Sequence, residues 1–167
     1  MGALIPDRIE EGFDRLQPDW LRSKGIRLVL ADLDNTLTRY RQLEPDPALI
    51  TWRDGLHEAG ITLFVISNSR RPNRAQQFCA NLDVPYISHA GKPHAAAFHQ
   101  AMEQCGCGAE ETIMIGDQIF TDVIGARLAG VFCLMVDPIE PEPGWFFRLK
   151  RRLERPILRA YERRKPR

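Results

Sequence analysis

Two aspartates separated by a single residue stand where an apolar run ends. Asp32 and Asp34 follow residues 26–30, which have the composition of a buried strand. Residues i and i+2 of a strand point to the same side, so both carboxylates are expected to face one site. This arrangement suits a nucleophile that works beside a proton donor, and it also suits a hard divalent cation. The pair alone is also compatible with accidental placement.

A hydroxyl and an amide close a second apolar run, at residues 62–66. Ser67 could donate a hydrogen bond to a phosphate oxygen, with backbone N–H groups and Asn68 beside it. Ser and Asn also favour helix N-caps and turns, and this alternative stays open.

A lysine precedes the apolar-periodic stretch at 95–102, which is predicted to be helical. Lys92 follows Gly91 at the start of this helix, where the helix dipole disfavours a cation. The position would instead suit neutralisation of a phosphoryl group and of clustered carboxylates. The alternative is a solvated loop lysine.

A third apolar run, at 112–116, delivers Asp117 at its end, and Asp122 follows five residues later. Gly116 allows close approach of the backbone. Asp117 could be a helix N-cap and Asp122 a first-turn acid, but neither alternative explains all four segments together.

These segments, in this order, carry a family resemblance. Asp32-Leu33-Asp34-Asn35-Thr36-Leu37, Ser67-Asn68, Lys92-Pro93 and the Gly-Asp-x4-Asp segment at 116–122 resemble the haloacid dehalogenase-like phosphohydrolases. The resemblance implies that Asp32 attacks phosphorus and forms an aspartyl-phosphate. It implies that Asp34 protonates the leaving oxygen and later deprotonates water, while Ser67 and Lys92 hold phosphoryl oxygens. Thr36 is expected to order the turn or to bond near Asp34.

The resemblance also implies a magnesium ion. Its expected ligands are Asp32, Asp34 through the backbone carbonyl, Asp117 and Asp122. Whether Asp122 binds directly or from the surrounding shell is left open. Mg²⁺ prefers a few carboxylates together with water and phosphate oxygens.

Residues 33–37, 116–126 and 152–155 resemble the class IIIA, YqeG-like branch of this family. That branch includes phosphatidylglycerophosphate phosphatases, so the expected substrate is phosphatidylglycerophosphate or a related head group at a membrane surface. The alternatives are a soluble phosphatase for a sugar phosphate or a nucleic-acid end, and a non-catalytic polyanion-binding module. Candidate substrate-binding residues are Asn68, Arg70 and Arg71, with Arg74, Arg39 and Arg41 as further candidates for a second phosphate or as ordinary surface charge.

Alternating strands and helices predict an α/β protein with a three-layer, Rossmann-like fold and a five-stranded parallel sheet. Only 32 residues lie between Asp34 and Ser67, and 24 between Ser67 and Lys92. These gaps leave no room for an inserted cap domain, so the site is expected to be open. The predicted strands are 27–32, 62–67, 84–88, 112–116 and 131–136, and the predicted helices are 46–59, 72–82, 93–105 and 119–129.

The C-terminal segment is strongly basic. From Arg148 onward it has ten Lys/Arg and two Asp/Glu, whereas the rest of the chain has 13 basic and 20 acidic residues. Residues 1–140 are therefore interpreted as the phosphatase domain and 141–167 as a basic amphipathic tail, in which Pro156 is predicted to separate two short helices. The tail could contact an anionic membrane, pack its Phe146, Leu149 and Leu153 stripe on the domain, or bind nucleic acid.

Composition fits a single globular domain, with 44% hydrophobic and 27% charged residues in a chain of 167. No apolar run is long enough to span a bilayer, and the N-terminus lacks a signal-peptide pattern. The expected location is cytoplasmic, with peripheral contact to the inner face of the membrane. The four cysteines lack the spacing of a complete metal site and are expected to be structural or incidental thiols.

Overall fold

The computed structural model describes residues 4–71, 73–141 and 145–163, which contain a parallel sheet with helices on both faces. The strand order is β1-β6-β5-β2-β3-β4, and every pairing is parallel. The strands are β1 Arg8–Glu10, β2 Leu28–Ala31, β3 Thr62–Ile66, β4 Tyr86–Ile87, β5 Thr112–Gly116 and β6 Phe132–Val136. The helices are α1 Pro18–Ser23, α2 Pro47–Glu58, α3 Arg74–Leu82, α4 Ala96–Cys105, α5 Ile124–Ala129 and α6 Trp145–Glu162.

The central strands are continuous apolar runs because both faces of the sheet are covered. In β2, Val29 and Ala31 join the hydrophobic cluster that contains residues of α2 and α3. Leu28 and Leu30 join the opposite cluster, which contains residues of α4 and α5. The predicted three-layer α/β fold is therefore confirmed, and the carboxyl ends of β2, β3 and β5 meet at one edge.

The sheet has six strands, so the prediction of five was wrong. The additional strand, β1, has three half-buried residues and no apolar run that could reveal it. Its position depends on tertiary contacts. Asp7 donates its backbone N–H to the Cys133 carbonyl at 3.0 Å, and its carboxylate accepts the Cys133 N–H at 2.8 Å.

The helix predicted over 119–129 has two parts. A π-helical turn spans Ile119–Val123 and passes directly into α5. In this turn, the N–H groups of Asp122 and Val123 both donate to the Gln118 carbonyl, at 2.9 and 3.3 Å. Such single wide turns are frequent at functional sites, and this one carries Asp122.

The C-terminal helix α6 is continuous through Pro156, so the predicted division into two helices was wrong. Pro156 has no backbone N–H and so cannot donate a helical hydrogen bond. Contacts between α6 and the domain offset this loss. Glu154 is fully buried, Ile157 and Leu158 pack against the core, and the Tyr161 hydroxyl accepts the Ile9 N–H at 3.2 Å. The described residues that pack on the domain are therefore Glu154, Ile157, Leu158 and Tyr161.

Leu149 and Leu153 of the predicted stripe are exposed, by 46% and 55%, and Trp145 beside them is exposed by 71%. The Phe146 side chain lies outside the described residues. None of the described helices combines the length and apolar character needed to cross a membrane. Within the described residues between Asp34 and Lys92, no inserted cap domain occurs.

Candidate active site

The carboxyl ends of the central strands surround a small cavity of about 170 Å³. Asp32 continues the pairing of β2 with β5, since its N–H donates to the Ile115 carbonyl at 2.9 Å. Asp34 lies two residues further on, and both side chains reach the cavity, as the spacing predicts. The cavity is lined by Asp32, Asp34, Tyr40, Ser67, Asn68, Ser69, Lys92, Gln118 and Thr121.

Lys92 is a buried cation held between two carboxylates. Its Nζ lies 2.5 Å from Asp32 Oδ1 and 2.7 Å from Asp122 Oδ1. The backbone of Lys92 is held as well, because the Asn68 amide accepts its N–H and donates to its carbonyl, both at 2.9 Å. Asn68 thereby positions Lys92, and its contact with a substrate remains a prediction.

Three buried aspartates converge behind the cavity. One carboxylate oxygen from each of Asp32, Asp117 and Asp122 lies within 4.8 Å of the others. Thr36 donates to Asp117 Oδ1 at 3.4 Å, so this hydroxyl serves Asp117 and not Asp34. Three carboxylates beside one ammonium leave an excess of negative charge among oxygen ligands. This donor set fits a magnesium ion.

The position of Asp122 depends on a glycine. A Cβ atom at Gly116 would stand 2.4 Å from the Cβ, Cγ and Oδ2 atoms of Asp122, which is shorter than any real contact. The same carboxylate accepts the Gln118 N–H at 3.1 Å. The glycine and the π-helical turn together allow Asp122 to fold back over the end of β5.

Burial dominates the electrostatics of the cluster. It raises the pKa of Asp32 to about 7, against the attraction of Lys92, and the Asp122 charge adds to the rise. Burial alone would lower the pKa of Lys92, but the Asp122 and Asp32 charges outweigh it and raise the pKa above its ordinary value. Lys92 is therefore a permanent cation, and ionisation of Asp32 is costly without a further positive charge.

Arg74 has a different place from the one predicted. Its Nε and Nη2 atoms lie 3.0 and 2.8 Å from Asp34 Oδ1. Nη2 also donates to the Arg39 carbonyl at 2.7 Å, and Nη1 donates to the Gln42 carbonyl. With 3% of its surface exposed, this guanidinium is committed to positioning Asp34 and the loop at 39–42, so it does not grip a second phosphate.

The two other arginines near Ser67 face different cavities. Arg71 lines an open cavity next to Tyr40, and its Nη1 donates to the Tyr40 carbonyl. Arg70 lines another cavity, beyond Lys92, together with His89 and His94. Their contact with a substrate remains a prediction, and the structure separates the two positions.

Sequence reasoning missed several residues around the cavity. Tyr40 lines it without belonging to a recognised motif, and Gln118 and Thr121 line it from variable positions of the Gly-Asp-x4-Asp segment, where no role was predicted for them. Glu154 of α6 accepts the Ile119 N–H at 3.1 Å and so supports the π-helical turn from a distant part of the chain. Asn35 has a left-handed φ of 70°, and its residue type was the one available signal, because Asn tolerates this region.

The fold and this arrangement of side chains define a haloacid dehalogenase-like hydrolase. The family model with that description matches residues 41–130, and the chain belongs to this family. Probable phosphatase YqeG of Bacillus subtilis is 32% identical to it, over 95% of this chain and 92% of that protein.

A second relative is phosphatidylglycerophosphate phosphatase 1, chloroplastic/mitochondrial, of Arabidopsis thaliana. It is 29% identical over 87% of this chain, which spans 45% of the plant protein's length. Among solved structures, 3-deoxy-D-manno-octulosonate 8-phosphate phosphatase of Moraxella catarrhalis, in complex with magnesium, phosphate and KDO, superposes with a TM-score of 0.56. That match is 19% identical and covers 72% of this chain and 74% of the other, and it supports the fold alone.

Proposed function

We propose that this haloacid dehalogenase-type phosphatase hydrolyses phosphomonoesters through an aspartyl-phosphate on Asp32. The observation that carries the proposal is the meeting of Asp32, Asp34 and Lys92 at one small cavity. A nucleophile, a separate acid/base and a fixed cation are the groups that such a displacement needs. A polyanion-binding module would not need the first two together.

In the first step, a carboxylate oxygen of Asp32 forms a bond to phosphorus while the ester P–O bond breaks. Asp34 gives its proton to the departing oxygen, which leaves as an alcohol. Lys92 and Ser67, whose side chains are nearly inaccessible to solvent, lie where they can hold phosphoryl oxygens. Their donors are fixed before the substrate arrives, so little reorganisation opposes the transfer.

In the second step, water attacks the phosphorus of the aspartyl-phosphate. Asp34, now ionised, takes the proton of this water, and the bond between Asp32 and phosphorus breaks. Free phosphate and the original carboxylate are the products. Arg74 holds Asp34 Oδ1 through two donor atoms, so the same carboxyl group faces the cavity in both steps.

Asp32, Asp117 and Asp122, with the backbone carbonyl of Asp34, are the proposed magnesium ligands. When bound, magnesium would reduce the repulsion between an anionic nucleophile and an anionic substrate. The buried excess of carboxylates over ammonium supports this assignment. Asp122 also accepts hydrogen bonds from Lys92 and the Gln118 N–H. It would therefore bind magnesium through the carboxylate lone pairs that these two bonds leave free.

The proposed substrate is phosphatidylglycerophosphate or a related phospholipid head group. Support comes from the plant relative, which is a phosphatidylglycerophosphate phosphatase, and from the described residues between Asp34 and Lys92, which form no cap domain over the cavity. Helix α6 adds support, because Trp145, Leu149 and Leu153 are exposed on it, and so are Arg152 and Arg155. Such a combination suits an anionic membrane surface.

The function is tested by phosphate release from phosphatidylglycerophosphate in mixed micelles, with and without Mg²⁺, beside p-nitrophenyl phosphate. We expect magnesium-dependent turnover of both, with kcat/KM at least about tenfold higher for the lipid. Borohydride reduction of acid-quenched enzyme, followed by peptide mass spectrometry, should locate the acyl phosphate at position 32. Turnover of the aryl phosphate alone would move the substrate to soluble phosphoesters such as sugar phosphates.

The membrane role of α6 has its own test. We expect Leu149→Gln/Leu153→Gln to weaken sedimentation with phosphatidylglycerol vesicles roughly tenfold, because about half of each leucine is available for burial in the interface. Hydrolysis of p-nitrophenyl phosphate should be unchanged. Leu128→Gln, which alters an exposed leucine of α5, is the matched control. Equal vesicle binding by the double variant and the parent would contradict the proposal.

A further inference from the structure

A second cavity opens beside the reaction cavity, and arginines dominate its lining. Its volume is about 710 Å³, against about 170 Å³ for the reaction cavity, and Tyr40 lines both. Arg39, Arg41 and Arg71 face it, and among the described residues that line it Glu140 is the single carboxylate. The lining therefore carries a net positive charge directly next to the site of phosphoryl transfer.

The guanidinium N–H donors of Arg39 and Arg41 are available to a ligand. Among the described residues, the guanidinium groups of Arg39 and Arg41 form no ion pair or hydrogen bond. The other charged side chains of the lining already have partners. Arg71 donates to the Tyr40 carbonyl, and Glu140 Oε1 accepts the Tyr40 N–H at 3.1 Å. Tyr40 is thus fixed from both sides, and Arg39 and Arg41 can turn toward a ligand.

The proposed mechanism puts the cavity on the side of the leaving group. Asp34, the proposed proton donor, must face the departing oxygen, and Arg74 joins this carboxylate to the carbonyls of Arg39 and Gln42. The loop that carries Arg39 is therefore fixed relative to the leaving oxygen. The cavity of Arg70 borders Asn68 and Lys92 instead, and Lys92 is the residue proposed to hold the transferred phosphoryl group.

We propose that the cavity of Arg39, Arg41 and Arg71 binds a second phosphate, carried by the leaving group of the substrate. This inference rests on the proposed function and deepens it. The ligand is a phosphodiester joined through a short polyol to the phosphomonoester that is cleaved. The reaction cavity is too small for both phosphates, and guanidinium groups bind phosphate through paired donors.

The test compares substrates with and without the second phosphate. For Arg39→Gln/Arg41→Gln, we expect kcat/KM for soluble glycerophosphoglycerol phosphate to fall about 10- to 100-fold, mainly through KM, with less than about twofold change for p-nitrophenyl phosphate. Arg22→Gln, on exposed α1, controls for the loss of surface charge. Glu140→Gln should act in the opposite direction and lower KM for glycerophosphoglycerol phosphate, since it removes an anion from the lining.

Inhibition separates this inference from the proposed function. Glycerophosphoglycerol, which has the diester but no cleavable phosphate, should inhibit aryl phosphate hydrolysis competitively, and at least about tenfold less in the double variant. Equal loss on both substrates, or equal inhibition of parent and variant, would overturn the subsite even if both substrates are hydrolysed. Conversely, inhibition by glycerophosphoglycerol without hydrolysis of glycerophosphoglycerol phosphate would support the subsite and reject the proposed substrate. A similar loss on phosphatidylglycerophosphate in micelles shows that the head group, and not the acyl chains, is recognised.

Discussion

Asp32→Asn is expected to abolish turnover, with kcat reduced by at least about 10⁴-fold, because it removes the proposed nucleophile. The same change should make the metal-free protein more stable. A carboxyl group whose pKa is about 7 when folded and 3.8 when unfolded binds its proton more tightly in the folded state. Stability therefore falls as pH rises from about 4 to about 7, and the asparagine variant lacks this loss.

The measurement is thermal unfolding of parent and variant in EDTA, between about pH 5 and pH 8, beside phosphate release with Mg²⁺. The difference in the free energy of unfolding should be greatest near pH 8, with an upper limit of about 4 kcal/mol, and should shrink toward pH 5. Lys92 retains Asp122 as a partner in the variant. A variant that keeps measurable turnover, or that is less stable than the parent at every pH, would contradict this account of Asp32.

Residues that act from a strand end could be predicted because their signals are local. Asp32 and Asp34 face one side because side chains alternate along a strand, and the strand before them is recognisable from its apolar run. Asp117 directly follows another apolar run, which forms the neighbouring strand β5. The parallel topology then brings these ends together. The predicted meeting of the motifs at one edge of the sheet is the part of the site that sequence reasoning reaches.

Residues that act through long-range pairing could not be predicted in this way. Arg74 lies 40 positions from Asp34, and nothing in its neighbourhood distinguishes a buried guanidinium from a surface arginine. Glu154 supports the Ile119 N–H only because α6 returns across the domain. Strand β1 is similar, because three half-buried residues have no periodic signal and depend on β6 for their conformation.

Helix α6 shows that an amphipathic pattern can be recognised in a sequence without revealing which face packs on the domain. The stripe of Phe146, Leu149 and Leu153 left packing, contact with a membrane and binding of nucleic acid open, and the structure leaves Leu149 and Leu153 exposed. The packed face instead contains a buried carboxylate, Glu154, which composition alone would place in solvent. A buried glutamate is acceptable here because a backbone N–H, otherwise unpaired at the start of the π-helical turn, is its partner.

Lys92→Met should reduce both the stability and the activity of the protein. Three carboxylates with oxygens within 4.8 Å of one another would lose their cation. Removal of one partner from a buried ion pair costs about 3–5 kcal/mol, so we expect the metal-free melting temperature to fall by roughly 10 °C. Activity should fall at least about 10³-fold, because the fixed cation beside the phosphoryl group is lost.

Magnesium should restore the stability of Lys92→Met but not its activity. Because a divalent cation restores positive charge among Asp32, Asp117 and Asp122, it should raise the melting temperature of Lys92→Met by more than it raises that of the parent. Activity should remain lost, since magnesium cannot replace an ammonium held at 2.5 Å from Asp32 and fixed by the Asn68 amide. Lys92→Arg, which keeps the charge but not the geometry, is the matched control and should retain more stability than activity. Recovery of turnover by Lys92→Met in magnesium would show that Lys92 serves only to balance charge, and the proposed contact with the phosphoryl group would then be wrong.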